Sequence, residues 1–217
     1  MENSQSLCTI YLVRHGQTEW NVKKLIQGQV DSNLTEKGKT DALERAKELR
    51  HIEFEAIFSS DLGRAMQTAE LLKLERKLAV NTTKLLRERA YGHMESAPVE
   101  EWVEQNKKLL AEEEALAEKG NSEFVFYKGY ETDAEVVGRA ITFLREVSVT
   151  YLGKKVLVVS HGGLLRTLLI HLGYGSLKEM PHFSGAIGNL GYVVLESDGV
   201  DFFIKETKGI NKVKSNE

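Results

Sequence analysis

The sequence predicts an α/β protein, a largely parallel sheet covered on both faces by helices. Short β-branched and aromatic runs alternate with helical patterns over the first three-quarters of the 217 residues. The helical segments repeat apolar residues at three- and four-residue spacing, so each presents one face to a sheet. Two of the apolar runs, Thr9–Val13 and Val156–Val159, lead into a histidine followed by glycine. That pairing places two imidazoles at the carboxyl ends of strands, where open α/β sheets bind ligands.

In chain order, Cys8–Val13 reads as the first strand. Gly38–Arg50 follows as a helix with Ala42, Leu43, Ala46 and Leu49 on its apolar face. Ala56–Ser59 is the next strand, and Asp61–Leu72 a helix carrying Leu62, Ala65, Ala69 and Leu72. The stretch from about His93 to Tyr130 departs from this rhythm. Pro98 suits a first helical turn, Glu100–Glu118 is a long charged helix, and Phe124–Tyr127 forms an aromatic group. Two readings fit this excursion: a lid over the site, or a solvated surface helix docked by an aromatic loop. Glu131–Tyr151 returns to the amphipathic pattern, with Val136, Val137, Ala140, Ile141, Leu144 and Val147. Val156–Ser160 is a strand, Gly162–Leu172 an almost wholly apolar helix, and Leu190–Leu195 and Phe202–Ile204 close the set. Residues from about 206 to 217 are basic and polar and are expected to fray as a flexible tail.

The whole of 1–217 is read as one domain. Its net charge of −3 gives no overall attraction to nucleic acid or an anionic membrane. The single cysteine, Cys8, excludes an internal disulfide and reads as a buried thiol. No apolar run reaches the length of a membrane span, and no basic region precedes a long apolar one, so a cytoplasmic location is expected. No sequence feature sets an oligomeric state.

Arg14 offers a planar fork suited to phosphate oxygens, and Arg64, at a strand-to-helix junction, can reach over the same sheet edge. The amides of Gly162 and Gly163 open the last core helix and add its positive end. Two arginines beside His15 should depress its pKa, leaving a neutral nucleophilic imidazole able to attack phosphorus. Glu88, in Leu85–Gly92, is the best carboxylic acid for protonating a leaving oxygen.

Leu12-Val13-Arg14-His15-Gly16-Gln17-Thr18-Glu19-Trp20-Asn21 resembles the signature of the histidine phosphatase superfamily, the phosphoglycerate-mutase-like proteins. Four further blocks follow in the family's order: Leu34-Thr35 with Gly38; Ser59–Leu62 with Arg64-Ala65 and Gln67-Thr68-Ala69; Glu88 with Tyr91-Gly92; and Ser160-His161-Gly162-Gly163. The resemblance spans roughly residues 9 to 195. It implies a three-layer α/β/α sandwich on a mainly parallel sheet, with a helical insertion near the site. It implies His15 as the phosphorylated nucleophile and Glu88 as proton donor, with Arg14, Arg64 and His161 completing the phosphate pocket. Asn21 and the Gly162 amide would also contact phosphate, while Gln27, Gly28 and Tyr91 would lie on the substrate side. Neither a metal nor an organic cofactor is implied, and the partner is a small phosphorylated metabolite.

Taken alone, Asn21 also reads as a helix cap and Gln27 as an ordinary polar loop residue. His171 reads as a core histidine and His51 as chemically silent, while His93 and His182 read as surface residues in loops from which a substrate could also be reached. Mutase members resemble one another in a pair of adjacent arginines within the excursion, whereas this chain has no arginine from His93 to Gly138 and carries Glu112-Glu113-Glu114 instead. A phosphatase of a small monoester, such as phosphoserine or a sugar phosphate, is therefore expected. The alternatives are a phosphoglycerate-type mutase, a catalytically silent phospho-ligand module, and a zinc hydrolase using His15, His161 and Glu88.

Overall fold

A computed structural model describes residues 6–118 and 129–213. The strands are β1 (Cys8–Arg14), β2 (Ala56–Ser60), β3 (Val80–Thr83), β4 (Lys155–Ser160), β5 (Ile187–Ser197) and β6 (Phe202–Ile210). The helices are α1 (Glu19–Val22), α2 (Glu36–Glu48), α3 (Gly63–Lys73), α4 (Val99–Gln105), α5 (Lys107–Glu118), α6 (Asp133–Thr150) and α7 (Gly162–His171). The strands form one sheet in the order β3-β2-β4-β1-β5-β6. The β3–β2, β2–β4 and β4–β1 pairs are parallel, while β5 and β6 close the sheet antiparallel.

Each face of the sheet buries against helices, giving three layers. On one face Ile10, Leu12, Val156 and Val158 pack with Val136, Ala140 and Leu144 of α6 and Leu164, Leu165 and Leu168 of α7. On the other, Val13, Ile57, Leu157 and Val159 meet Ala46 of α2 and Ala65, Ala69 and Leu72 of α3. Each fully buried leucine or isoleucine here contributes about 1.5–3 kcal/mol. Helix starts are fixed by side-chain caps: Thr35 accepts from the Gly38 amide, and Thr132 with Glu135 forms a reciprocal capping box on α6.

Four sequence expectations need correction. A sixth strand, β3, joins the parallel edge; its residues Val-Asn-Thr-Thr are short and mostly polar because an edge strand buries little. The residues expected to fray from 206 onward instead continue β6 to Ile210, paired with β5 through Tyr192–Lys208 and Val194–Glu206. Their charge suits an outer edge; Lys208 binds Glu48 at 2.9 Å. The charged helix of 100–118 is two helices, broken at Asn106. His171 is exposed rather than in the core, since α7's buried face ends at Ile170. Cys8 is buried as expected, and burial pushes its thiol up to about 11.

The start of the excursion is held to the body of the protein. Its chain runs beside 24–26, with the Ile26 amide donating to Ala97 and the Ser96 amide to Ile26. Trp102 of α4 is fully buried against a cluster containing Ile26, Tyr91 and Met94. The Phe124–Tyr127 group and the side chains of Glu113 and Glu114 lie outside the described residues. Among the described residues, no helix is long and apolar enough to cross a membrane.

Candidate active site

β1 and β4 run parallel in register, with Arg14 opposite Ser160. The next residue on each strand is a histidine, so His15 and His161 leave the sheet side by side, ring centroids 5.2 Å apart. The glycine after His15 is needed for space rather than for a turn. A Cβ on Gly16 would lie 2.9 Å from the Gly38 carbonyl oxygen, where α2 passes the loop. The Gly16 amide in turn donates to Thr68 Oγ1 of α3 at 3.0 Å. These contacts fix the loop that carries the imidazole.

His15 is 2% exposed, and its Nδ1 lies 2.7 Å from the Gly16 carbonyl oxygen. A carbonyl only accepts, so Nδ1 carries the hydrogen and Nε2 keeps its lone pair. Burial, then the Arg64 and Arg14 charges, hold the imidazole well below its ordinary value, and the bond to Gly16 opposes this only in part. The arginines thus act in the expected direction, with desolvation the larger cause. His161 is likewise held neutral by burial first and Arg64 next.

Arg64 is 1% exposed and anchored by the loop of residues 28–31. Its Nη2 donates to the Gly28 carbonyl at 2.7 Å, and its Nη1 to the Val30 carbonyl at 2.8 Å and Asp31 at 3.1 Å. Arg14 Nη1 donates to the Ile187 carbonyl at the start of β5. Among the described residues, the buried Nε atoms of both arginines and both ring nitrogens of His161 have no protein hydrogen-bond partner. Buried polar groups of this kind ordinarily have one.

Glu88 faces this cluster from the other side. Its Oε2 accepts from the Gly163 amide at 2.9 Å, and its Oε1 from the Leu164 and Arg89 amides at 3.0 and 2.8 Å. The N-terminus of α7 therefore holds the carboxyl group beside the histidines. Only glycine at 163 permits this approach, since a Cβ there would lie 2.5 Å from Glu88 Oε1.

Arg14, His15, Arg64, Glu88 and Gly162 border a cavity of about 410 Å³. Asn21, Gln27, Gly28 and Tyr91 line it as well. His161 does not reach the cavity wall; it sits fully buried against the His15 ring. Asn21 caps its own helix with Thr18 and also belongs to the site. Its Oδ1 accepts from the Thr18 amide and from Asn189 Nδ2 at 3.1 Å each, which leaves its Nδ2 as a donor. Gln27 Oε1 is taken by the Thr18 hydroxyl at 3.1 Å. His182 lines the cavity and packs on Trp102, whereas His51 and His93 are exposed. Val99 and Glu100 of α4 complete the wall, so the excursion borders the site.

Asn189 was not singled out by the sequence, although it also donates to the His15 carbonyl at 3.2 Å. A polar side chain directly before an apolar strand was the available signal.

Residues 10–208 match the family described as the histidine phosphatase superfamily (branch 1). The chain belongs to it. A probable phosphatase of Schizosaccharomyces pombe is 34% identical over 75% of this chain and 72% of its own. Among solved structures, a phosphoglycerate mutase from Bacillus anthracis is 26% identical with a TM-score of 0.80, covering 97% of this chain and 96% of that one. A phosphoserine phosphatase from Entamoeba histolytica, solved with 3-phosphoglyceric acid, is 25% identical with a TM-score of 0.74, covering 92% of this chain and 96% of that one. The neighbours share the phosphoglycerate-mutase-like fold.

Proposed function

We propose that this chain is a phosphomonoesterase that hydrolyses a small phosphate ester through a phosphohistidine at His15. One observation carries the reading. Unpartnered buried Nε donors on Arg14 and Arg64 belong to residues that border the same cavity as an imidazole whose Nε2 lone pair is free. A phosphoryl group supplies the oxygen acceptors those donors lack. Asn21, whose Nδ2 is left as a donor, and Gly162 line the same cavity.

In the first step Nε2 of His15 attacks phosphorus, and the bond from phosphorus to the ester oxygen breaks. Protonated Glu88 gives its proton to that oxygen, and the alcohol leaves. In the second step Glu88, now a carboxylate, takes a proton from water as the water oxygen attacks phosphorus. The P–N bond breaks, inorganic phosphate leaves, and His15 returns to its neutral form. The cycle uses no metal and no organic cofactor, and the enzyme works in the cytoplasm on a phosphorylated metabolite. The absence of arginine from 93–138 favours hydrolysis over mutase chemistry.

The test is phosphate release from phosphoserine, phosphoglycerates, sugar phosphates and an aryl phosphate, with chelator present. Release by the native chain, lost by about 10³-fold or more in His15→Ala, is the expected result. Undiminished turnover by His15→Ala would overturn the mechanism, and isomerisation of 3- to 2-phosphoglycerate would move the assignment to a mutase.

A further inference from the structure

The loop bearing Glu88 has little regular structure of its own, yet the carbonyls of residues 85–88 are all bound from outside. Leu86 accepts from the Ser160 hydroxyl at 2.8 Å. The other three converge on Arg139 of α6, whose Nη1 donates to Leu85 at 2.9 Å and Arg87 at 2.5 Å, and whose Nη2 donates to Glu88 at 3.2 Å. Its Nε and the remaining Nη2 hydrogen go to Glu131, at 2.5 and 2.9 Å. All five donors of the guanidinium are thus used. Glu131 closes the clamp: its Oε2 accepts from the Ala90 amide at 3.1 Å, and its own amide donates to the Ala90 carbonyl at 2.9 Å. Both side chains are about 15% exposed.

Neither Arg139 nor Glu131 lines the cavity, and neither touches the Glu88 carboxyl group. Their bonds bracket residue 88 on both sides, which fixes where its side chain starts. We infer that Arg139, held by Glu131, is a positioning residue that sets Glu88 for proton transfer to the leaving oxygen. A planar five-donor fork is required for this, because a lysine ammonium has three donors and no plane. Displacement of the acid by about 1 Å costs on the order of 10²-fold in rate.

This inference rests on the phosphatase reading above, and leaving-group dependence separates the two. An alkyl ester such as phosphoserine needs its leaving oxygen protonated; 2,4-dinitrophenyl phosphate does not. For each ester, kcat/KM reports steps up to formation of the phosphohistidine. Arg139→Lys, Arg139→Gln and Glu131→Gln should lower kcat/KM for the alkyl ester about 100-fold and for the dinitrophenyl ester less than about 3-fold. Thermal unfolding of each variant verifies the fold, and Glu131→Gln carries the comparison if an Arg139 variant does not fold. Equal losses on both esters, or no loss on either, would overturn the positioning role. Absence of phosphate release from either ester by the native chain would overturn the phosphatase reading itself, and this inference with it.

Discussion

Acidification from pH 6.5 to 5.5 should destabilise this protein through the two histidines at its centre. His15 and His161 are both held neutral, well below their ordinary value of 6.5, chiefly by burial. In the unfolded chain each imidazole takes up a proton as the pH falls past 6.5, while in the folded chain neither does. The folded pKa lies below the unfolded one, so the stability is present above 6.5 and declines as the pH falls. Over this interval each histidine costs about 1 kcal/mol and the pair about 2 kcal/mol. Carboxylates add little, because their unfolded values near 4.5 lie a unit or more lower. The assay is urea unfolding followed by tryptophan fluorescence in phosphate-free buffer at the two pH values, with Trp102 buried as a reporter. His161→Gln should halve the difference. A native chain whose stability changes by less than about 0.5 kcal/mol would refute the assignment of two neutral buried imidazoles.

Arg64→Lys should weaken inhibition by inorganic phosphate and vanadate. It should also lower stability by about 1–3 kcal/mol, since the carbonyls of Gly28 and Val30 lose their donors; inhibition constants and urea midpoints measure the two effects. Gly163→Ala should lower kcat at least 10-fold by pushing Glu88 off the α7 amides, yet leave the melting temperature within a few degrees because alanine suits a helix. A variant with full activity would show that the Glu88 position is not set there.

Much of the site was legible because its chemistry sits where strands stop. The β-branched runs before Arg14-His15 and His161 marked two strand ends, and adjacent parallel strands brought those ends together. Arg64 was readable from its strand-to-helix junction, and Glu88 only as the carboxylic acid that the expected chemistry calls for. The supporting residues were silent for a physical reason. Asn189, Arg139 and Glu131 do their work by bonding backbone atoms of distant loops, and no local spacing encodes that. In the fold, β3 and the end of β6 were missed because edge strands face water and keep a polar sequence. Gly163 reads in the sequence as an amide donor opening the last core helix; the structure adds close approach at Gly16 and Gly163, to Gly38 in one case and Glu88 in the other.

The in-register neighbouring of β1 and β4 has a consequence for synthesis. His161 is made long after His15, and Asn189 of β5 must still follow to hold the His15 carbonyl. A nascent chain cannot assemble the proposed anion site until its central sheet has closed across that long sequence separation, a contact of high order that forms slowly. Under the proposed phosphatase reading, inorganic phosphate binds only finished molecules and by mass action withdraws them from the unfolded pool, acting as an inspector of completed folding.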